Sequence, residues 1–242
     1  ESRRHPTGAV IDPAYATHRV GNFPLAVVTS PEGDRVVMLL GGWRQQGIQV
    51  VDRNSGAVTQ TIEQPSAFLG LRFSPDGRKL YVSGGNEDLI YVYRWENRQA
   101  VPDGTIVIRP KKDPKDHGTA FPAGLACSDD GRYLYVTENL GDALTVVDLS
   151  TRTVVQRLIT DRYPYAVIAV AGRIYVSCWG DDTLNIFKNG RRTRVQVGRH
   201  PSAMYVRNGR LYVVSGSTDT IAIVDLRKEK VVGHLYDPPP AG

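Results

Sequence analysis

Asp88, Asp142, Asp182 and Asp219 recur in one sequence setting, each shortly after one apolar run and just ahead of the next. Carboxylates repeated in this way can do one of two things. They can converge on a hard cation, or each can accept backbone N–H groups at a turn, as Asp commonly does. The EF-hand and RTX loop spacings are absent, so the turn role is the stronger reading and no metal or other cofactor is expected. His5, His18, His117, His200 and His234 show no paired ligand spacing. No Ser, Thr or Cys stands in a nucleophile elbow or a comparable activating motif. Cys127 and Cys178 lie in apolar runs and read as small buried hydrophobes, with neither zinc spacing nor CxxC.

The elements that must carry these residues are set by an internal repeat. Ser74-Pro75-Asp76-Gly77-Arg78-Lys79-Leu80-Tyr81-Val82 is echoed by Ser128-Asp129-Asp130-Gly131-Arg132-Tyr133-Leu134-Tyr135-Val136. Shorter echoes follow at Gly172-Arg173-Ile174-Tyr175-Val176 and Gly209-Arg210-Leu211-Tyr212-Val213, and a divergent first copy begins at Ser30-Pro31. Each copy opens with a proline and an apolar run, turns through glycine into the Leu-Tyr-Val run, and continues with two more short runs. Short Val-, Ile- and Tyr-rich strands bounded by Gly, Asp and Ser turns predict antiparallel sheet. Four strands in about forty residues, repeated, predict a β-propeller blade. The chain therefore reads as all-β: a single β-propeller domain over 1–242, with blades at about 24–64, 65–110, 122–162, 164–199 and 201–237. Residues 111–121 form an insertion without apolar periodicity, expected to be a flexible loop.

The Leu-Tyr-Val-Ser and Leu-Tyr-Val-Thr-Glu-Asn runs, preceded by Ser-Pro-Asp-Gly-Arg, resemble the YVTN repeat of bacterial seven-bladed propellers. A narrower likeness rests on Gly41-Gly42-Trp43-Arg44-Gln45-Gln46-Gly47, Phe68-Leu69-Gly70-Leu71 and Ser83-Gly84-Gly85-Asn86-Glu87-Asp88. These are similar to proteins that carry such a propeller ahead of an alkaline-phosphatase-superfamily phosphoesterase domain. That resemblance implies a periplasmic or extracellular setting and places any hydrolysis in a fused domain outside this chain, so no catalytic residue is carried over.

Thr17 to Pro24 resembles Arg194 to Pro201, where a fourth strand runs into the next blade. Residues 16–20 are thus expected as a surplus outer strand. Its three partner strands are expected beyond Gly242, which makes a sixth blade, and the YVTN resemblance implies one further complete blade in a seven-bladed ring. An open ring exposes sheet faces and edges that proteins normally cover.

Up-down-up-down strands place the second-to-third loops and the fourth-to-first links on one face. That face gathers the candidate binding residues Trp43, Arg44, Asn86, Glu138, Asn139, Tyr163, Tyr165, Trp179, Asp181 and His200. Aromatics beside polar groups at a channel mouth suit a ligand pocket, and they equally hold blades together. Trp43 and Trp179 are the expected anchors for a protein partner, whereas Trp95 reads as packing.

Hydrophobic residues make up 41% and charged residues 23%, enough for a core and too apolar for a disordered chain. The net charge of +5 is spread along the sequence with no nucleic-acid module beside it, so nucleic acid is not an expected partner. No apolar run is long enough for a membrane span. The chain thus reads as a non-catalytic binding or scaffold module for a protein partner or fused domain, with a small-molecule ligand as a further option. The alternatives are a propeller enzyme of lactonase or lyase type and a structural subunit of an envelope complex.

Overall fold

The computed structural model describes residues 17–236. They form an all-β propeller array of five four-stranded antiparallel sheets, or blades. Blade 1 is β1 (Pro24–Thr29), β2 (Arg35–Gly41), β3 (Gln46–Asp52) and β4 (Val58–Glu63). Blade 2 is β5 (Leu71–Phe73), β6 (Lys79–Ser83), β7 (Leu89–Glu96) and β8 (Gln99–Val107). Blade 3 is β9 (Pro122–Cys127), β10 (Tyr133–Glu138), β11 (Ala143–Asp148) and β12 (Thr153–Ile159). Blade 4 is β13 (Pro164–Val170), β14 (Arg173–Cys178), β15 (Thr183–Lys188) and β16 (Arg191–Gln196). Blade 5 is β17 (Pro201–Arg207), β18 (Arg210–Ser215), β19 (Thr220–Asp225) and β20 (Lys230–Tyr236). Strands pair in sequence order within each blade, and the first strands β1, β5, β9, β13 and β17 pack on one another in turn along the axis.

The repeated turn between first and second strands has a local cause. In Ser74-Pro75-Asp76-Gly77, Gly77 takes φ +72°, a left-handed turn that costs glycine nothing. The Asp76 carboxylate accepts the Ser74 hydroxyl at 2.6 Å and the Arg78 N–H at 3.1 Å. Ser128, Asp130, Gly131 and Arg132 repeat the arrangement.

A single blade cannot bury both faces, so the core lies between blades. Val37, Leu39, Ile48 and Val50 of blade 1 meet Leu80, Val82, Tyr93 and Trp95 of blade 2. Trp95 is packing, set edge-on to Phe73 at 5.2 Å, with its indole N–H donated to Glu32. Equivalent clusters join blades 2 and 3, 3 and 4, and 4 and 5.

Three expectations differ from the structure. The first run of blade 2, expected as a strand from Pro65, pairs only over Leu71–Phe73. Side chains take its earlier N–H groups: Gln46 Oε1 accepts from Ala67 and Ser83 Oγ from Gly70. Residues 17–20 form no strand; Gly21 donates its N–H to Gln49 of blade 1, and residue 16 lies outside the described residues. The insertion is tied down at its far end, where Asn86 Oδ1 accepts from Gly118, and the Asp88 carboxylate accepts the N–H groups of Thr119, Ala120 and Phe121.

Candidate functional site: the aromatic loop face

Four equivalent links lead into blades 1, 3, 4 and 5, the last three of them from the blade before, and each ends in an aromatic or histidine residue followed by proline. Phe23, Phe121, Tyr163 and His200 all take left-handed φ of 53–55°. This conformation is uncommon for bulky residues and is stored strain, on the order of 1–3 kcal/mol each. Strain of this kind persists only where the surroundings over-determine it, and here they do. The Phe121 N–H is accepted by Asp88 Oδ1 at 2.8 Å, that of Tyr163 by Asp142 Oδ1 at 2.9 Å, and that of His200 by Asp182 Oδ1 at 3.2 Å. The carbonyls of Phe23, Phe121, Tyr163 and His200 in turn accept N–H groups from Gly41, Asn139, Trp179 and Gly216 at the ends of the second strands. Asp88, Asp142 and Asp182, three of the four repeated aspartates, are therefore latches between successive blades. Among the described residues no cluster of His, Cys, Asp and Glu is placed to hold a metal ion.

The latches turn side chains outward at the mouth of the axis. Trp179 stacks on the His200 ring at 4.0 Å and 17°, and Tyr163 meets Trp179 edge-on at 6.3 Å. Arg162 braces this group through Asp181, with Nε to Oδ1 at 2.9 Å and its own N–H to Oδ2 at 2.7 Å. The Arg162 hydrogen bond holds the Asp181 carboxyl below its ordinary range. Phe121 packs edge-on against Phe68 at 5.0 Å. Across the face, Asn22, Phe23, Gly41, Gly42, Trp43 and Arg44 line an open hollow of about 560 Å³. Trp43 is 99% exposed and Phe23 68%.

The candidate residues divide into surface and support. Trp43, Arg44, Tyr163 and Trp179 are exposed, and Asp181 and His200 are partly covered beside them. Asn86 holds the insertion, Asn139 donates its amide to the Pro164 carbonyl at 3.2 Å, and Tyr165 is half-buried. Glu138 is not a surface contact. Its side chain is 0% exposed, held by Arg157 Nε at 2.8 Å and Arg109 Nη2 at 2.8 Å, with the Thr145 hydroxyl donating to it. Sequence reading also passed over Ser217, whose Oγ lies 2.5 Å from His200 Nδ1. The signal for this part of the site was the aromatic–proline step at the head of four of the five blades.

Ser217 and His200 have the adjacency of a nucleophile and a base. The N–H groups of Gly216 and Ser217 are directed at the carbonyls of His200 and Arg199, and among the described residues no carboxylate accepts from the imidazole to orient it. Burial pushes the thiols of Cys127 and Cys178 up to about 11 and about 12. Both cysteines are free and buried and stay protonated at neutral pH, which makes them poor nucleophiles.

No protein-family sequence model matches this chain, and no curated protein does. Solved structures match it by shape. The WD40 repeats of RRP9 align at TM-score 0.74 and 15% identity, over 90% of this chain and 65% of theirs. Virginiamycin B lyase from Staphylococcus aureus, solved with quinupristin, aligns at TM-score 0.71 and 13% identity, over 90% of this chain and 71% of the enzyme. Hydrazine synthase of Kuenenia stuttgartiensis aligns at TM-score 0.61 and 18% identity, over 74% of this chain and 51% of that one. The likeness is one of fold. This chain spans about half to seven-tenths of the length of these structures.

Proposed function

We propose that this chain is a binding module of YVTN type, the propeller part of a larger polypeptide in the cell envelope that also carries a phosphoesterase domain. Its loop face docks a protein partner. One observation carries this reading: Trp43, 99% exposed, shares a face with the braced Tyr163–Trp179–His200 group. Rigid, exposed aromatics beside arginine are the composition of interface hot spots. The YVTN resemblance of the repeats supports the envelope setting. The test is a photo-crosslinking residue at position 43 in cells of the source organism, with position 227 on the opposite face as control. A discrete adduct at 43, absent at 227 and lost with Trp179→Ala, supports docking at this face. Equal labelling at both positions refutes it, and recovery of the protein in the cytoplasmic fraction refutes the envelope setting.

A second reading has one observation in its favour, the Ser217–His200 pair on a fold shared with virginiamycin B lyase. Turnover of quinupristin by this chain, abolished by His200→Ala, would replace the non-catalytic reading with a lyase.

A further inference from the structure

At the end of the blades opposite the aromatic loop face, three of the four junctions between successive blades are closed by the same two devices. The first is an apolar plug, two residues beyond the third-strand residue that pairs with the repeat's leucine. Trp95 is the plug between blades 1 and 2, Leu149 between blades 2 and 3, and Leu226 between blades 4 and 5. The second is a charged clasp from the turn between third and fourth strands to the preceding blade. Arg98 reaches Asp34 at 2.5 Å, Arg152 reaches Asp103 at 2.5 Å, and Glu229 receives Arg173 at 2.7 Å.

The junction between blades 3 and 4 has neither device. Asn189 stands where the plug belongs, two residues after Phe187, which pairs with Ile174 of the repeat. Asn189 and Gly190 form a two-residue turn between Lys188 and Arg191, with φ of 49° and 75°, the favoured Asn-Gly hairpin form. Blades 3 and 5 place four residues in that turn; among the described residues neither residue of the shorter turn bonds to blade 3. The repeat's tyrosines register the difference. Tyr81 and Tyr175 are 5% and 1% exposed within their plugged junctions, whereas Tyr135 is only half-buried. Together with Phe187 it lines an open cleft of about 560 Å³, a size that suits a small molecule.

Two charged residues line this cleft, Asp129 and Arg173. Arg173 is engaged by Glu229, and Asp129 forms no ion pair among the described residues. Beside the apolar wall of Tyr135, Leu158, Ile174 and Phe187, the charge left free is therefore negative. We infer that the cleft between blades 3 and 4 binds a small apolar amine. Its hydrocarbon body takes the place of the missing plug against Tyr135 and Phe187, and its ammonium pairs with Asp129. The site is on the opposite side of the molecule from the aromatic loop face, so it holds or fails independently of docking there.

The test titrates the 242-residue chain with 2-phenylethylamine and tryptamine, and with 2-phenylethanol and tryptophol, which carry a hydroxyl in place of the ammonium. Amide chemical shifts report both affinity and place. The amines are expected to move the amides of Tyr135, Ile174 and Gly190 and to bind about fivefold more tightly than the alcohols. Asp129→Asn should erase that preference while leaving alcohol binding unchanged. Ala169→Leu and Ile174→Phe each add bulk to the cleft and should weaken the amines by about tenfold or more; should overpacking unfold one of them, the other carries the measurement. Absence of saturable amine binding overturns the inference. So do shifts centred on Trp43 or Trp179, an amine affinity that neither filled variant lowers, and equal affinity for amines and alcohols in the parent chain.

Discussion

Glu138 shows how much a residue's role depends on groups far from it in sequence. Its carboxylate is fully buried, while Arg109 and Arg157, its two cations, are 35% and 39% exposed. The two sides of this cluster are therefore unequal. Removing Arg157 leaves the buried carboxylate to Arg109 and Thr145 alone and takes away a charge-assisted hydrogen bond worth about 1.5–3 kcal/mol. Neutralising the carboxyl leaves two arginines that can turn to water. Arg157→Ala is accordingly expected to cost clearly more than Glu138→Gln, which keeps an oxygen for Arg157 and Thr145. Urea unfolding of the two variants measures the order, and a Glu138→Gln loss equal to or greater than that of Arg157→Ala contradicts it. The sequence placed Glu138 on the loop face because it ends a second strand beside Asn139. Nothing local marked its burial, since Arg109 comes from the link out of blade 2 and Arg157 from β12.

At the scale of elements, the junction between blades 3 and 4 carries a second buried acid. Asp161 is 8% exposed and accepts from Thr183 Oγ1 at 2.6 Å, Asn185 Nδ2 at 2.7 Å and Arg194 Nε at 2.7 Å. Burial pushes its carboxyl up, but the hydrogen bonds from Thr183, Asn185 and Arg194 outweigh it and the net shift is downward. A carboxylate with a depressed folded pKa contributes stability above its unfolded pKa and loses it as pH falls through the folded value. The stability gap between the parent and Asp161→Asn should therefore hold steady near pH 7 and narrow below about pH 4. Chemical denaturation at a series of pH values tests this, and a gap that widens on acidification rules it out. The strands were readable because Val, Ile and Tyr at two-residue spacing between glycine turns leave little choice. The first strand of blade 2 was overextended for the opposite reason. From Pro65 to Gly70 the apolar spacing persists, but Gln46 and Ser83 claim the N–H groups a ladder needs.

For the molecule as a whole, the arrangement is a row of blades whose stability comes from each blade and its neighbours. Blades 2, 3 and 4 are covered on both faces, whereas blade 5 is covered on one. No core cluster among the described residues joins it to blade 1. Local opening should follow that asymmetry, because regions with fewer buried apolar contacts exchange through smaller free-energy gaps. The two middle strands of each blade make the fair comparison, since both are hydrogen-bonded on either side and differ only in what lies above and below them. Amide exchange of the 242-residue chain is thus expected to be slowest in β10 and β11 and markedly faster in β18 and β19. Equal protection of the two pairs would mean that blade 5 is covered in solution by something other than a further blade. A gain in protection confined to β18 and β19 in the natural gene product, relative to this chain, would locate the covering element on the outer face of blade 5.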